Sequence, residues 1–127
     1  MLAKIRSWFS EARRWHNDNV RTWADHGEPG PDGLSPFQRE AEDQVREKLA
    51  SRGVELTERQ ILGEGERYIT ATIPRLDATI WIYHDGTEIQ SSDDELRLER
   101  WDTRTPDEHR ARVFEFLDAL LLRSNKR

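Results

Sequence analysis

Cysteine is missing from this 127-residue chain. That excludes disulfides, thiolate chemistry and Cys-based zinc or iron–sulfur sites, and it fits a reducing, cytoplasmic compartment. Long apolar runs are missing as well; none approaches the roughly 18–20 residues that span a bilayer. The first residues lack a charged stretch leading into an apolar one with a small-residue cleavage site, so no secretory signal is expected. Positive charge is not in excess either. Twenty Lys and Arg face 25 Asp and Glu, a net charge of −5. Nucleic-acid binding draws its affinity from phosphate neutralisation by basic groups, so this balance speaks against a nucleic-acid partner.

Catalytic signatures are also scarce. The four histidines, His16, His26, His84 and His109, form no i,i+4 pair and no HExxH or HxH motif. No GxSxG nucleophile elbow occurs. Gly63-Glu64-Gly65 lacks the lysine, the length and the following helix of a phosphate loop, and its acid would repel phosphate. No cofactor and no small-molecule ligand are implied.

What the chain does have is aromatic side chains. Five Trp, four Phe and two Tyr are more than a disordered tail carries, so a folded core is expected. The strongest boundary is Gly27–Leu34, reading GEPGPDGL, with three glycines and two prolines. It forbids a continuing helix or strand and reads as a linker between segment 1–26 and a domain over 35–127.

In segment 1–26, Ile5, Trp8, Ala12 and Trp15 recur at spacings of three and four with Phe9 beside them. This is the stripe of an amphipathic helix. The segment carries five basic and three acidic groups, a net of +2, while residues 34–127 carry 15 basic and 20 acidic groups, a net of −5. Its stripe needs a surface to lie against. The expected surface is protein, either its own sheet or that of a second copy. A membrane interface, which tryptophan favours, is the alternative.

In the domain, Ser35-Pro36-Phe37-Gln38 has the hydroxyl cap, the proline and the returning amide of a helix start. Phe37, Ala41, Val45 and Leu49 then share a face, and Gly53 marks a stop. From about Leu56 the period becomes two. Ile69, Ala71 and Ile73, Ala78, Ile80 and Ile82, and later Ile89, Leu96 and Leu98 alternate with polar and aromatic residues, the pattern of strands. Arg59–Leu62 reads as a preceding strand, Pro74 as a strand end, and Leu96 and Leu98 as a strand running to about Trp101. Asp85-Gly86 is a two-residue hairpin signal and places Ile82 opposite Ile89, Tyr83 opposite Glu88 and Trp81 opposite Gln90. Thr105-Pro106-Asp107-Glu108 opens a last helix, with Val113, Phe114, Leu117, Leu120 and Leu121 on its apolar face.

The expected fold is therefore α+β: an antiparallel sheet of three to five strands with two helices on one face, preceded by an amphipathic helix. The other sheet face then presents Tyr68, Trp81, Tyr83 and Trp101 together with Arg97, Glu99, Glu88 and Gln90. Aromatics mixed with charge are the composition of a protein-binding surface. The leading expectation is a small, non-catalytic, cytoplasmic interaction or regulatory protein of bacterial type, such as a toxin-neutralising module, with a protein partner or self-association.

The alternative is an enzyme. Asp77 and Glu88-Ile89-Gln90, with ten residues between the two acids, resemble over a short stretch the metal-binding core of the PD-(D/E)xK nucleases. Pro74 is not adjacent to Asp77, and Gln90 stands where that family has its lysine. The resemblance implies a metal-dependent hydrolase using Asp77 and Glu88, with His84 as a third group. The run Ser91-Ser92-Asp93-Asp94-Glu95 offers further carboxylates for a hard cation, without EF-hand spacing.

Overall fold

The computed structural model describes residues 30–125. Segment 1–26, with its candidate docking face Ile5, Trp8, Phe9, Ala12 and Trp15, lies outside the described residues. Helix α1 (Pro36–Ala50) is followed by five strands, β1 (Thr57–Leu62), β2 (Tyr68–Ile73), β3 (Ala78–Tyr83), β4 (Gly86–Ser91) and β5 (Glu95–Glu99), and then by helix α2 (Pro106–Asn125). The strands form one antiparallel meander in the order of the sequence. Short 3-10 turns, Pro74–Leu76 and Arg100–Asp102, follow β2 and β5.

Helix α1 starts where its local chemistry dictates. Gln38 N donates to Ser35 Oγ at 3.3 Å and Ser35 N donates to Gln38 Oε1 at 2.9 Å, a reciprocal capping box. At the other end Gly53 adopts a φ of 70° and its N–H returns to Ala50 O. At the start of α2, Glu108 N donates to Thr105 Oγ1 at 3.1 Å, while the Glu108 carboxylate accepts from Arg104 N at 2.9 Å.

Both helices cover one sheet face. Ile69, Ala71, Ile73, Ala78, Ile80, Ile82, Ile89 and Leu98 are buried beneath Val45 and Leu49 of α1 and Val113, Leu117, Leu120 and Leu121 of α2. Leu34 is wholly buried, so the core already begins in the last residue of the Gly/Pro stretch. The helices also touch each other: Phe37 meets His109 edge-on at 5.4 Å, and Lys48 bonds Asp118 at 2.9 Å while lying 5.0 Å from the Phe114 ring.

The buried faces contain polar groups that apolar periodicity does not reveal. Gln38 is 1% exposed and Glu42 is 7% exposed on the inner face of α1. Gln38 Nε2 donates to Arg67 O at 2.8 Å and to Ile82 O at 3.0 Å. Glu42 accepts from Arg59 Nε and, at 3.0 Å, from Arg59 Nη2. A β-bulge brings Arg59 there. Thr57 pairs with Thr72 and Gln60 with Thr70, so Glu58 and Arg59 together oppose the single residue Ala71, and Glu58 has a φ of 53°. The bulge turns Arg59 toward α1, and the hydrogen bond to Glu42 raises the guanidinium pKa further.

The hairpin between β3 and β4 corrects the expected register. Tyr83 pairs with Gly86, Ile82 with Thr87, Trp81 with Glu88 and Ile80 with Ile89. The turn residues are His84 and Asp85, neither with positive φ. Gly86 is thus the first residue of β4, and a Cβ there would stand 2.6 Å from Leu98 O and 3.2 Å from Glu99 Cα. The glycine serves the close approach of β5, not a left-handed turn. The pairing is displaced by two residues, an even number, so Ile82 and Ile89 keep the inner face.

Candidate interaction surface

The outer face of the sheet is organised in three rows that run across the strands. The row nearest the β3–β4 hairpin reads Leu62, Tyr68, Tyr83, Gly86 and Glu99, with the Tyr68 and Tyr83 rings 5.2 Å apart. The central row reads Gln60, Thr70, Trp81, Glu88 and Arg97. The far row reads Thr57, Thr72, Thr79, Gln90 and Glu95. Period-two alternation places all of them opposite the buried Ile and Leu side chains. Among the described residues, no helix packs on this face.

Its two halves differ in chemistry. On β1 to β3, Leu62 is 39% exposed and adjoins half-buried Tyr68, Tyr83 and Trp81, an apolar patch at one end of the sheet. On β4 and β5 the face carries Glu88, Glu95 and Glu99 against the single cation Arg97. Between the halves lies a notch of about 260 Å³ lined by Tyr83, Asp85, Gly86, Glu88, Arg97 and Glu99. Burial raises the Tyr83 phenol above its ordinary range, and the adjacent Glu88 carboxylate adds to the shift.

Of the aromatic residues expected on this face, Tyr68, Trp81 and Tyr83 are brought together. Trp101 is not part of these rows. Strand β5 ends at Glu99, whose N–H donates to Asp102 Oδ2 at 2.8 Å, and the resulting 3-10 turn carries Trp101 beyond the sheet, 42% exposed. Arg97 and Glu99 stand beside Glu88 and Gly86 as outward residues of β5. Leu62 was not among the expected face residues. It stands two residues after Gln60, so the alternation of β1 places both on this face.

Comparison of the chain with protein-family models, curated proteins and solved structures returned no match.

The groups of the alternative metal site do not converge. Asp77 precedes β3 in a left-handed conformation, its N–H returned to Pro74 O at 3.1 Å. His84 lies in the hairpin turn after β3, so the strand's full length separates the two. Glu88 stands across from Trp81 in mid-sheet. The acidic run is a closed turn: Ser91 N donates to Asp94 O at 2.8 Å, Glu95 N to Asp94 Oδ1 at 2.9 Å, and Asp94 is bridged by Arg123 of α2 at 3.2 Å. Among the described residues no group of three His, Asp or Glu side chains could hold a metal ion.

Among the described residues, the most strongly shifted titratable group lies elsewhere. His109 is 2% exposed between α2 and the sheet, and its Nε2 shares a hydrogen bond of 2.9 Å with Thr87 Oγ1. Burial pushes its pKa from 6.5 down to about 4; Arg112 pushes the same way and Asp102 opposes. A neutral imidazole packed on Phe37 and bonded to a buried threonine is a core component. No helix of the described residues is long and apolar enough to cross a membrane.

Proposed function

We propose that the protein is a small, non-catalytic interaction module of the cytoplasm, of the regulatory or toxin-neutralising kind, which binds a protein partner through the outer face of its sheet. The observation that carries this reading is the row Leu62, Tyr68 and Tyr83 beside Trp81, left without a covering helix among the described residues. Tyrosine and tryptophan bring large contact area at little entropic cost, which is why they concentrate in interface hot spots. The glutamates on β4 and β5 define the partner's chemistry: an apolar centre with a basic rim, steered into place by opposite charge.

A photo-crosslinking amino acid placed in the full chain at Thr70 or Gln90, within cells that make the protein, tests this. One defined protein is expected to be captured from both positions, and to be lost when Trp81 and Tyr83 are replaced by serine. The same residue at Glu115, exposed on α2, is the control. Products that are absent, or identical from Glu115, overturn the reading.

A further inference from the structure

Among the described residues the sheet has two open edges, since β1 pairs only with β2 and β5 only with β4. An open edge is a template on which another chain can add a strand. The two edges differ. At β1 the bulge at Glu58 and Arg59 breaks the flat run of backbone groups. Strand β5 has no such irregularity, and its five residues pair with β4 in unbroken register.

The hairpin between β4 and β5 decides which backbone groups of β5 face outward. Ser91 N donates to Asp94 O at 2.8 Å, which makes these two a hydrogen-bonded pair. In an antiparallel ladder such pairs alternate with pairs that exchange no bond. The register then makes Ile89 with Leu96 and Thr87 with Leu98 the bonded pairs. The N–H and C=O groups of Glu95, Arg97 and Glu99 point away from β4, to the open edge. Both ends of that row are occupied by carboxylates. Glu95 N donates to Asp94 Oδ1 at 2.9 Å, and Arg123 of α2 holds the other oxygen of Asp94 at 3.2 Å. Glu99 N donates to Asp102 Oδ2 at 2.8 Å, and Asp102 N donates to the Glu99 carboxylate in return. Only the Arg97 N–H lies between the two capped donors.

We propose that Asp94 and Asp102 guard this edge: by taking the outward N–H groups of Glu95 and Glu99 they keep β5 from pairing with β5 of a second copy of this chain. A second copy is the strand the edge would otherwise suit. Glu95-Leu96-Arg97-Leu98-Glu99, laid antiparallel to itself, sets Arg97 opposite Glu99 in one register and opposite Glu95 in another, with leucine opposite leucine beside them. Opposite charges and apolar pairs across strands both stabilise a ladder. With the two donors capped, an incoming strand finds one N–H in place of three, and a carboxylate at each end of it. The bulge at β1 and the two aspartates at β5 thus close the two edges by different means. The guards act on backbone groups at the rim of the sheet, whatever binds its outer face.

Amide hydrogen exchange and sedimentation velocity of the full chain test this. In the natural chain the Glu95 and Glu99 amides are expected to exchange roughly tenfold more slowly than the Arg97 amide, as suits hydrogen bonds to charged acceptors. In Asp94→Ala/Asp102→Ala all three are expected to exchange fast in dilute solution. In concentrated solution they should slow together, as a heavier species absent from the natural chain appears. Asp94→Asn/Asp102→Asn keeps an oxygen acceptor at both places and is expected to sediment as the natural chain does. So is Asp85→Ala/Glu115→Ala, which removes the same charge from exposed positions elsewhere. Equal rates at the three amides of the natural chain overturn the proposal, whether or not the alanine variant folds. An alanine variant with native amide signals that gains no heavier species overturns it as well. Equal association of either control variant would make charge alone the cause, and that too overturns it.

Discussion

The amide of Gln38 donates to the carbonyl of Ile82 at 3.0 Å, which ties the first turn of α1 to the end of β3. The same amide donates to Arg67 O, and its oxygen accepts from Ser35 N. One side chain thus closes three backbone groups, in a place almost without solvent. Gln38→Leu keeps the volume and removes every one of these bonds. Each buried backbone group left open costs roughly 1–3 kcal/mol, so a loss of at least about 3 kcal/mol is expected in urea unfolding. A loss below about 1 kcal/mol would mean that the three groups find other partners.

Neighbours on β3 should respond in opposite ways. Ile82 is 1% exposed among the core side chains, whereas Trp81 faces outward. Ile82→Ala is expected to destabilise by about 2–5 kcal/mol through the cavity it leaves. Trp81→Ser removes a far larger side chain yet should cost under about 1.5 kcal/mol, since it opens no cavity in the core. Equal losses for the two, measured by chemical unfolding, would contradict the assignment of faces.

Gly86 separates two explanations of a glycine beside a turn. If it were needed for a left-handed backbone, Asn would substitute well, because Asn tolerates that conformation. If it is needed because the backbone of β5 passes at Leu98 and Glu99, any Cβ is excluded. Gly86→Ala and Gly86→Asn are therefore both expected to destabilise by more than about 1–3 kcal/mol, the range of overpacking. Near-native stability of Gly86→Asn alone would restore the turn explanation.

Acid should weaken the fold through His109. Its folded pKa of about 4 lies below the ordinary 6.5, so the unfolded chain takes up the proton first. The contribution of His109 is complete above about pH 6.5 and is lost as pH falls from there to about 4, to a total of about 3 kcal/mol. His109→Gln can still bond Thr87 and does not titrate. The gap in unfolding free energy between the natural chain and this variant should shrink over that interval, and a gap independent of pH would refute the burial argument.

The parts of the fold that were legible in the sequence depend on neighbours in sequence. The start of α1 is written in Ser35, Pro36 and Gln38, and the inner face of the sheet in the alternation from Ile69 to Ile82. What was not legible depends on distant backbone. Asp85-Gly86 looks like a turn because the strand that needs the glycine lies at Leu98 and Glu99, twelve and thirteen positions on. Glu42 looks like a solvent residue of α1 until a bulge in β1 delivers Arg59. His109 was only a histidine without metal spacing, because its partner Thr87 comes from another element. Trp101 left the expected face because a 3-10 turn ended the two-residue period after Glu99. Asp77, His84 and Glu88 are near in sequence, but an extended strand carries its ends apart at about 3.3 Å per residue.

The meander has a kinetic consequence. Every strand pairs only with strands adjacent in the sequence, so each closure is short and entropically cheap. The layer of helices is different, since Phe37 and His109 meet across 72 positions. The sheet can therefore zip up hairpin by hairpin while its isoleucine face still waits for α2. During synthesis, which proceeds from the N-terminus, that face stays open until the residues around Leu117 and Leu121 leave the ribosome. The interval before then is when the nascent chain is most exposed to aggregation and to chaperones.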